Sequence, residues 1–343
     1  MPKIPGEQIR FLVVGCGSIG RRHLANLVAM RRGAVGVCDI NAERLAEARE
    51  AHSVATFRNL DNALARKPEI VLICTHANQH VAMATKALHA GAHVFIEKPL
   101  SNSSEGVKRL LNTAKKSGRR VQVGYNLRFH PGILKMKELV DAGKLGDVLS
   151  MHTEFGLYLA YWWPGRDYRK SYMRRKASGG GLVSDCSHDI DLIRWFMGDL
   201  ASVTSIAAKT SLLETDVEDV ANIMIKTKRG KMGTIRLDCL QPEYTRTFKL
   251  IGEKGMLYWV CTRGKRMDTT NGQLWLSLKG SRFHRVPITG KVGRMYRAEI
   301  ESFVDAIDAG RAPVISLEDG WRALRAEMAA VRSSKDGRRV NLS

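Results

Sequence analysis

The 343-residue chain reads as an α/β protein. A doubly wound parallel sheet occupies residues 1–124, and an α/β domain with an open, mainly antiparallel sheet occupies residues 125–343. Three observations carry this reading. Buried-type strands alternate with helix-length segments through the first 124 residues, the pattern of a parallel sheet. The first strand runs straight into Gly15, Gly17 and Gly20, spaced G-x-G-x-x-G. Beyond Gly124 the segments lengthen and alternate apolar with polar, as an antiparallel sheet covered on one face does.

Each element follows from local pattern. Residues 9–14 form a continuous apolar strand, and Ile19, His23, Leu24, Leu27 and Val28 recur behind the glycines at helical spacing. A second strand over 34–38 ends in Asp39. Helix 41–51, a short strand near 54–57 and helix 59–66 follow. Strand 69–75 leads into helix 78–89, strand 92–97 into helix 103–117, and strand 120–124 closes the sheet. The second half opens with a helix over 131–142. Strands are expected over 147–156, 201–212, 218–227, 232–240, 245–251 and 255–260. A loop-rich stretch, 157–181, leads into a helix at 186–197. Two final helices, 294–309 and 317–333, can return to pack on the first domain.

Composition narrows the function classes. A 44% hydrophobic chain of this length can bury a sizeable core, and two domains are the default. No run approaches the ~20 apolar residues needed to span a bilayer, and the first ten residues lack a signal peptide's apolar stretch. Cysteines 16, 38, 74, 186, 239 and 261 form no C-x-x-C pair, which points to reduced thiols and a cytoplasmic protein. The net charge of +21 is spread over both halves, without a basic arm or zinc-finger spacing. It predicts neither a nucleic-acid nor a membrane partner.

The glycine turn has a physical purpose. The first glycine lets the chain turn sharply, the second admits a phosphate to the backbone, and the third lets helix and strand pack. Ser18, Ile19 and Gly20 then present free N–H groups and a positive dipole end to a pyrophosphate. Asp39 stands about 20 residues on, where an NAD ribose hydroxyl is held. NAD is therefore the expected cofactor, while Arg44 and Arg21–Arg22 leave NADP open. Later strand ends carry Thr75, Asn78 and His80, then Glu97 and Lys98, and all converge on the carboxyl edge of the sheet. A glycine-rich entry to a helix brings Asp185, His188, Asp189 and Asp191, some of which serve as helix caps.

The combination of GCGSIG at 15–20, T-x-x-x-x-H at 75–80, E-K-P at 97–99, GYNLRFHP at 124–131 and GGG…D…H…D…RW over 179–195 resembles the Gfo/Idh/MocA oxidoreductases. The resemblance runs nearly the whole chain, including E-I-x-x-F-V-x-A-I at 299–307. It implies a Rossmann domain, then an α/β domain whose open sheet often forms the subunit interface, giving a homo-dimer or homo-tetramer. By position, Lys98 lies beside the nicotinamide and the reacting hydroxyl, and His188 is the family histidine. The aspartate partner usually stands four residues earlier; here that place is Ser184, and Asp185 stands three earlier. Tyr125, Asn126 and Arg128 match the stretch that lines the cofactor and substrate crevice.

The implied activity is hydride transfer between NAD(P) and a secondary alcohol or ketone of a sugar, sugar derivative or cyclic polyol, with no metal. The alternative is a non-catalytic NAD(P)- or sugar-sensing regulator of the same fold, which has no need of Lys98 together with His188. The basic stretch 166–176, with Arg169 and Tyr172, raises an anionic substrate such as a nucleotide sugar or sugar acid.

Overall fold

β1 (Phe11–Val14), β2 (Val35–Cys38), β3 (Ala55–Phe57), β4 (Ile70–Ile73), β5 (His93–Glu97) and β6 (Val121–Gly124) form one sheet, ordered β3-β2-β1-β4-β5-β6 and parallel throughout. The computed structural model describes residues 9–163, 165–176, 180–185, 187–262 and 270–342, so Cys186 lies outside the described residues. The chain divides into two units, Met1–Tyr125 with Tyr296–Trp321 and Asn126–Met295 with Arg322–Ser343.

In the first unit every residue of β1, β2, β4 and β6 is buried, as strands covered on both faces must be. The crossovers are α1 (Ser18–Met30), α2 (Ala42–His52), α3 (Leu60–Leu64), α4 (Ala77–His89) and α5 (Val107–Ser117). α5 starts later than its periodicity suggests. Ser101 and Ser103 accept the N–H groups of Ser103 and Glu105, and Gly106 turns through φ 70° before the helix begins. Phe11, Leu24, Ile70, Leu72 and Phe95 pack into one core with Ile300, Phe303 and Val304. Those last three come from the helix Met295–Asp308, whose Asp308 also accepts from Arg10 at 2.5 Å. Further on, Val123 N–H donates to the Ile315 carbonyl, and Gly320 lies so close to β6 that an added Cβ would meet Val123 at 2.4 Å.

The second unit begins with a 3-10 turn, Asn126–Phe129, and α6 (Pro131–Asp141). Its strands are β7 (Val148–Gly156), β8 (Leu200–Ala208), β9 (Val220–Thr227), β10 (Met232–Asp238), β11 (Thr245–Gly252), β12 (Gly255–Thr262), β13 (Gln273–Leu278), β14 (His284–Val286) and β15 (Val340–Asn341). They order as β14-β13-β12-β11-β7-β10-β9-β8-β15, antiparallel except where β10 runs parallel to β7. α7 (Leu182–Asp185) and α8 (His188–Met197) intervene between β7 and β8, and Ile193 of α8 packs on Gly233 of β10. The helix Met295–Asp308 is α9, and α10 (Leu317–Asp336) follows it. From α10, Ser333 and Ser334 accept the N–H groups of Ser205 and Ala207 in β8.

The strand expected over 201–212 stops at Ala208. Thr210 and Ser211 turn aside because their N–H and hydroxyl groups all donate to the Asp219 carboxylate. β13, β14 and β15 extend the sheet beyond the strands read from sequence. Leu274 and Leu276 of β13 do alternate toward the core, but β14 and β15 are too short to show a period. Among the described residues, no helix is long and apolar enough to cross a membrane.

Candidate active site

The glycine turn separates structural from ligand-facing positions. Gly15 takes φ +91°, and a Cβ there would lie 2.8 Å from the Cys74 carbonyl oxygen. A Cβ on Gly20 would lie 1.8 Å from the carbonyl oxygen of Gly15, inside any contact distance. At Gly17 an added Cβ meets nothing within 4 Å. The fold itself thus requires the first and third glycines, and the second keeps open the space before α1. No side chain caps α1, so the N–H groups that begin at Ser18 and Ile19 are available to an anion.

Asp39 anchors the other side of this cradle. It is 7% exposed, and its two carboxylate oxygens accept Cys16 N–H at 2.6 Å and Asn41 N–H at 2.8 Å. Each oxygen keeps a further lone pair for a ribose hydroxyl. The Arg44 guanidinium stands 3.8 Å away. The turn and the adjacent end of β4 flank the point where strand order reverses, the usual ligand crevice of such sheets. These features fit a dinucleotide: open space before α1, N–H donors without a side-chain cap, and a buried carboxylate acceptor.

Thr75 and Asn78 lie at the β4 edge, Asn78 exposed in the first turn of α4. His80 is almost fully buried. Its Nδ1 lies 3.0 Å from the Pro99 carbonyl and its Nε2 lies 3.1 Å from the Thr75 carbonyl, and burial pushes its pKa down. Glu97 is also buried. One of its oxygens takes His23 Nε2–H at 2.5 Å, and the other takes the Lys98 N–H at 3.1 Å. Lys98, partly exposed, joins Pro99 through a cis peptide bond. Tyr125, fully buried, ends the first of this unit's two chain segments.

In the second unit Asp185 closes α7 and His188 opens α8, both partly exposed. The Tyr172 hydroxyl donates to Asp185 at 2.5 Å. Behind them, α8 is held by two buried ion pairs. Arg128 grips Asp191 through two hydrogen bonds of 2.8 and 2.6 Å, and Arg246 meets Asp189 at 2.5 Å. Burial pushes the Asp189 carboxyl up, and Arg246 opposes that. Asn126 is buried within the same 3-10 turn as Arg128. Arg169 donates to Asp167 at 2.9 Å and to Glu214 at 3.1 Å, so its charge is already shared between two carboxylates.

Gly15, Gly17, Gly20, Asp39, Thr75, Asn78 and Lys98 therefore collect at one sheet edge of the first unit. Tyr172, Asp185 and His188 collect at the head of α8 in the second. Sequence reasoning left two partners unassigned. His23 carried a signal, a histidine on the buried stripe of α1. Arg246 carried none, because its partner Asp189 lies far away in sequence. Among the described residues, no group of three or more His, Cys, Asp or Glu residues has a metal-binding arrangement.

Two models of one family match the chain. "Oxidoreductase family, NAD-binding Rossmann fold" covers residues 9–125, and "GFO/IDH/MocA C-terminal domain" covers residues 133–258. Myo-inositol 2-dehydrogenase of Thermotoga maritima is 28% identical over 97% of this chain and 98% of its own length. The scyllo-inositol 2-dehydrogenase (NAD(+)) of Bacillus subtilis is 27% identical over 98% and 97%. Among solved structures, a levoglucosan dehydrogenase in complex with NADH superposes with a TM-score of 0.85 at 21% identity, covering 98% of this chain and 99% of that one.

Proposed function

Because the chain belongs to the Gfo/Idh/MocA family of NAD-binding oxidoreductases, we propose that it oxidises a secondary hydroxyl of a neutral cyclic polyol of the inositol type. What carries this reading is that the chain holds an intact Glu97-Lys98-Pro99 turn in its first unit and Asp185 and His188 at the head of α8 in its second, and matches inositol dehydrogenases over 97–98% of its length. The relatives are named as dehydrogenases, which favours an enzyme over a sensing protein of the same fold.

The residues suit the chemistry. Bound at the glycine turn, NAD supplies the hydride acceptor. His188 takes the hydroxyl proton as general base. The Lys98 ammonium stabilises the alkoxide that develops. Asp185, steadied by the Tyr172 hydroxyl, orients the imidazole. Gly17 leaves the pyrophosphate room, and Asp39 accepts from the ribose.

One observation favours a second reading. Residues 166–176 contain six Arg or Lys, a composition suited to a sugar acid or nucleotide sugar. The neutral reading stands ahead of it because Arg169 is compensated by Asp167 and Glu214. The test is NAD reduction with myo- and scyllo-inositol, neutral hexoses, sugar acids and nucleotide sugars, using the wild type, Lys98→Ala and His188→Ala. Neutral polyols should give the highest kcat/KM, and Lys98→Ala should lower kcat by at least ~10² while leaving NADH affinity nearly intact. Turnover of anionic sugars alone would overturn the neutral assignment. Normal turnover by Lys98→Ala would overturn the catalytic one.

A further inference from the structure

We propose that two buried histidines, His23 and His80, are positioning residues that hold Lys98 from either side. The inference rests on the reading of Lys98 as the catalytic cation and adds the groups that place it.

Lys98 stands in the turn that follows β5, between Glu97 and Pro99. On its amino side Glu97 is fixed by His23, which lies on α1 and is 0% exposed. Glu97 divides its carboxylate, one oxygen to His23 at 2.5 Å and the other to the Lys98 N–H at 3.1 Å. His23 Nδ1 has no partner among the described residues, so the ring's hydrogen bonding is spent on Glu97. Its faces are held by Phe95 and Tyr296 in edge contacts of 5.4 and 6.2 Å. On the carboxyl side His80 Nδ1 lies 3.0 Å from the Pro99 carbonyl and its Nε2 3.1 Å from the Thr75 carbonyl; a neutral ring has one N–H to give, and the proposal assigns it to Nδ1, facing Pro99.

Neither histidine is available as a proton donor to solvent or substrate, since both are buried. Both ride on helices that begin at the ligand edge: α1 begins with the glycine turn and α4 follows Thr75. The same two helices that frame the cofactor edge thus fix the backbone on both sides of Lys98. A displacement of about 1 Å in a catalytic group can cost on the order of 10² in rate. Two buried ties, one on each side of the turn, are a physical means of preventing that.

The geometry makes a crossed prediction. At position 23 the working atom is Nε2, which a glutamine amide can imitate and an asparagine cannot reach. At position 80 the atom facing Pro99 is Nδ1, which asparagine imitates and glutamine does not. His23→Gln and His80→Asn should keep kcat within about threefold of wild type, whereas His23→Asn and His80→Gln should lose about tenfold to a hundredfold. In all four, NADH affinity measured by nicotinamide fluorescence should stay within about threefold. Equal kcat for the Gln and Asn variants at both positions would overturn the proposal. Loss of NADH affinity in step with kcat would also overturn it, by assigning these residues to cofactor binding or to the fold at large. Lys98→Ala in the same assay separates the two readings. If it turns over normally, the role of Lys98 fails; if it is inactive while the crossed pattern is absent, only the positioning role fails.

Discussion

Single residues set the cofactor preference and part of the acid sensitivity. In the proposed cofactor site the buried Asp39 carboxylate accepts from the ribose, and a 2′-phosphate there would bring like charges together. The Arg44 guanidinium, 3.8 Å away, offsets part of that repulsion. Steady-state kinetics should therefore give a higher kcat/KM with NAD than with NADP, and Asp39→Ala should narrow the gap; a wild-type preference for NADP would refute this. His130 is a second case. It caps α6 by accepting Gly132 N–H at 3.1 Å, and burial lowers its pKa to about 4. The unfolded chain takes up that proton near pH 6.5, so the folded state loses stability as pH falls from 6.5 toward 4. Between pH 7 and pH 5 this amounts to about 2 kcal/mol. Urea unfolding at both pH values should show the loss, and His130→Asn, which keeps a competent cap, should be less sensitive by that amount. Equal pH sensitivity in the two proteins would exclude His130 as its source. The glycine turn between β1 and α1 and the strand end at Glu97 were legible as local pattern. The tasks of His80 and Arg128 were not, since the partners that occupy them, Pro99 and Asp191, are brought near only by the fold.

At the scale of elements, the turn between β1 and α1 separates two kinds of glycine. Gly20→Ala forces a Cβ to within 1.8 Å of a backbone carbonyl that no rotamer change can move, so the helix and strand must separate. Gly17→Ala meets no atom of the protein, and only a ligand entering the turn feels it. Thermal melts should show Gly20→Ala strongly destabilised and Gly17→Ala near wild type. NADH titration of Gly17→Ala should nevertheless show binding weakened tenfold or more, about 1.4 kcal/mol. Undiminished binding by Gly17→Ala would mean that the pyrophosphate is not held at this turn. The strands of the first unit were legible for the same reason that they are stable. Burial on both faces leaves an uninterrupted apolar run, as in Ile70–Ile73. Elements that depend on side-chain caps or distant pairing were less so. The serine turn ahead of α5 and the Asp219 anchor beyond β8 are both decided by hydrogen bonds that hydrophobic period does not report.

For the molecule as a whole, the second sheet poses a question of covering. β9 alternates strictly, with Ala221, Ile223 and Ile225 buried and Asn222, Met224 and Lys226 exposed. Neighbouring strands continue the outer row: Met224 pairs with Thr204 and Thr234, while Met232 and Ile206 pair with Lys226 and Asn222. Ile206 is 75% exposed, Met232 58% and Met224 53%. Three large apolar side chains so exposed on one sheet face suit an interaction surface. The face is self-complementary in composition, with apolar residues between polar ones, as an isologous contact requires. We infer that a second copy of the chain covers it, giving a homo-dimer or a higher homo-oligomer. The net charge of +21 opposes association at long range, so the contact must rest on apolar burial and should strengthen with salt. Sedimentation velocity should find an oligomer at micromolar concentration, less dissociated at high ionic strength than at low. Met224→Asp combined with Met232→Asp should shift it to monomer while leaving the thermal transition of each chain nearly intact, because both side chains point away from that sheet's own core. A wild-type monomer at every concentration, or an oligomer indifferent to both substitutions, would exclude this face as the contact.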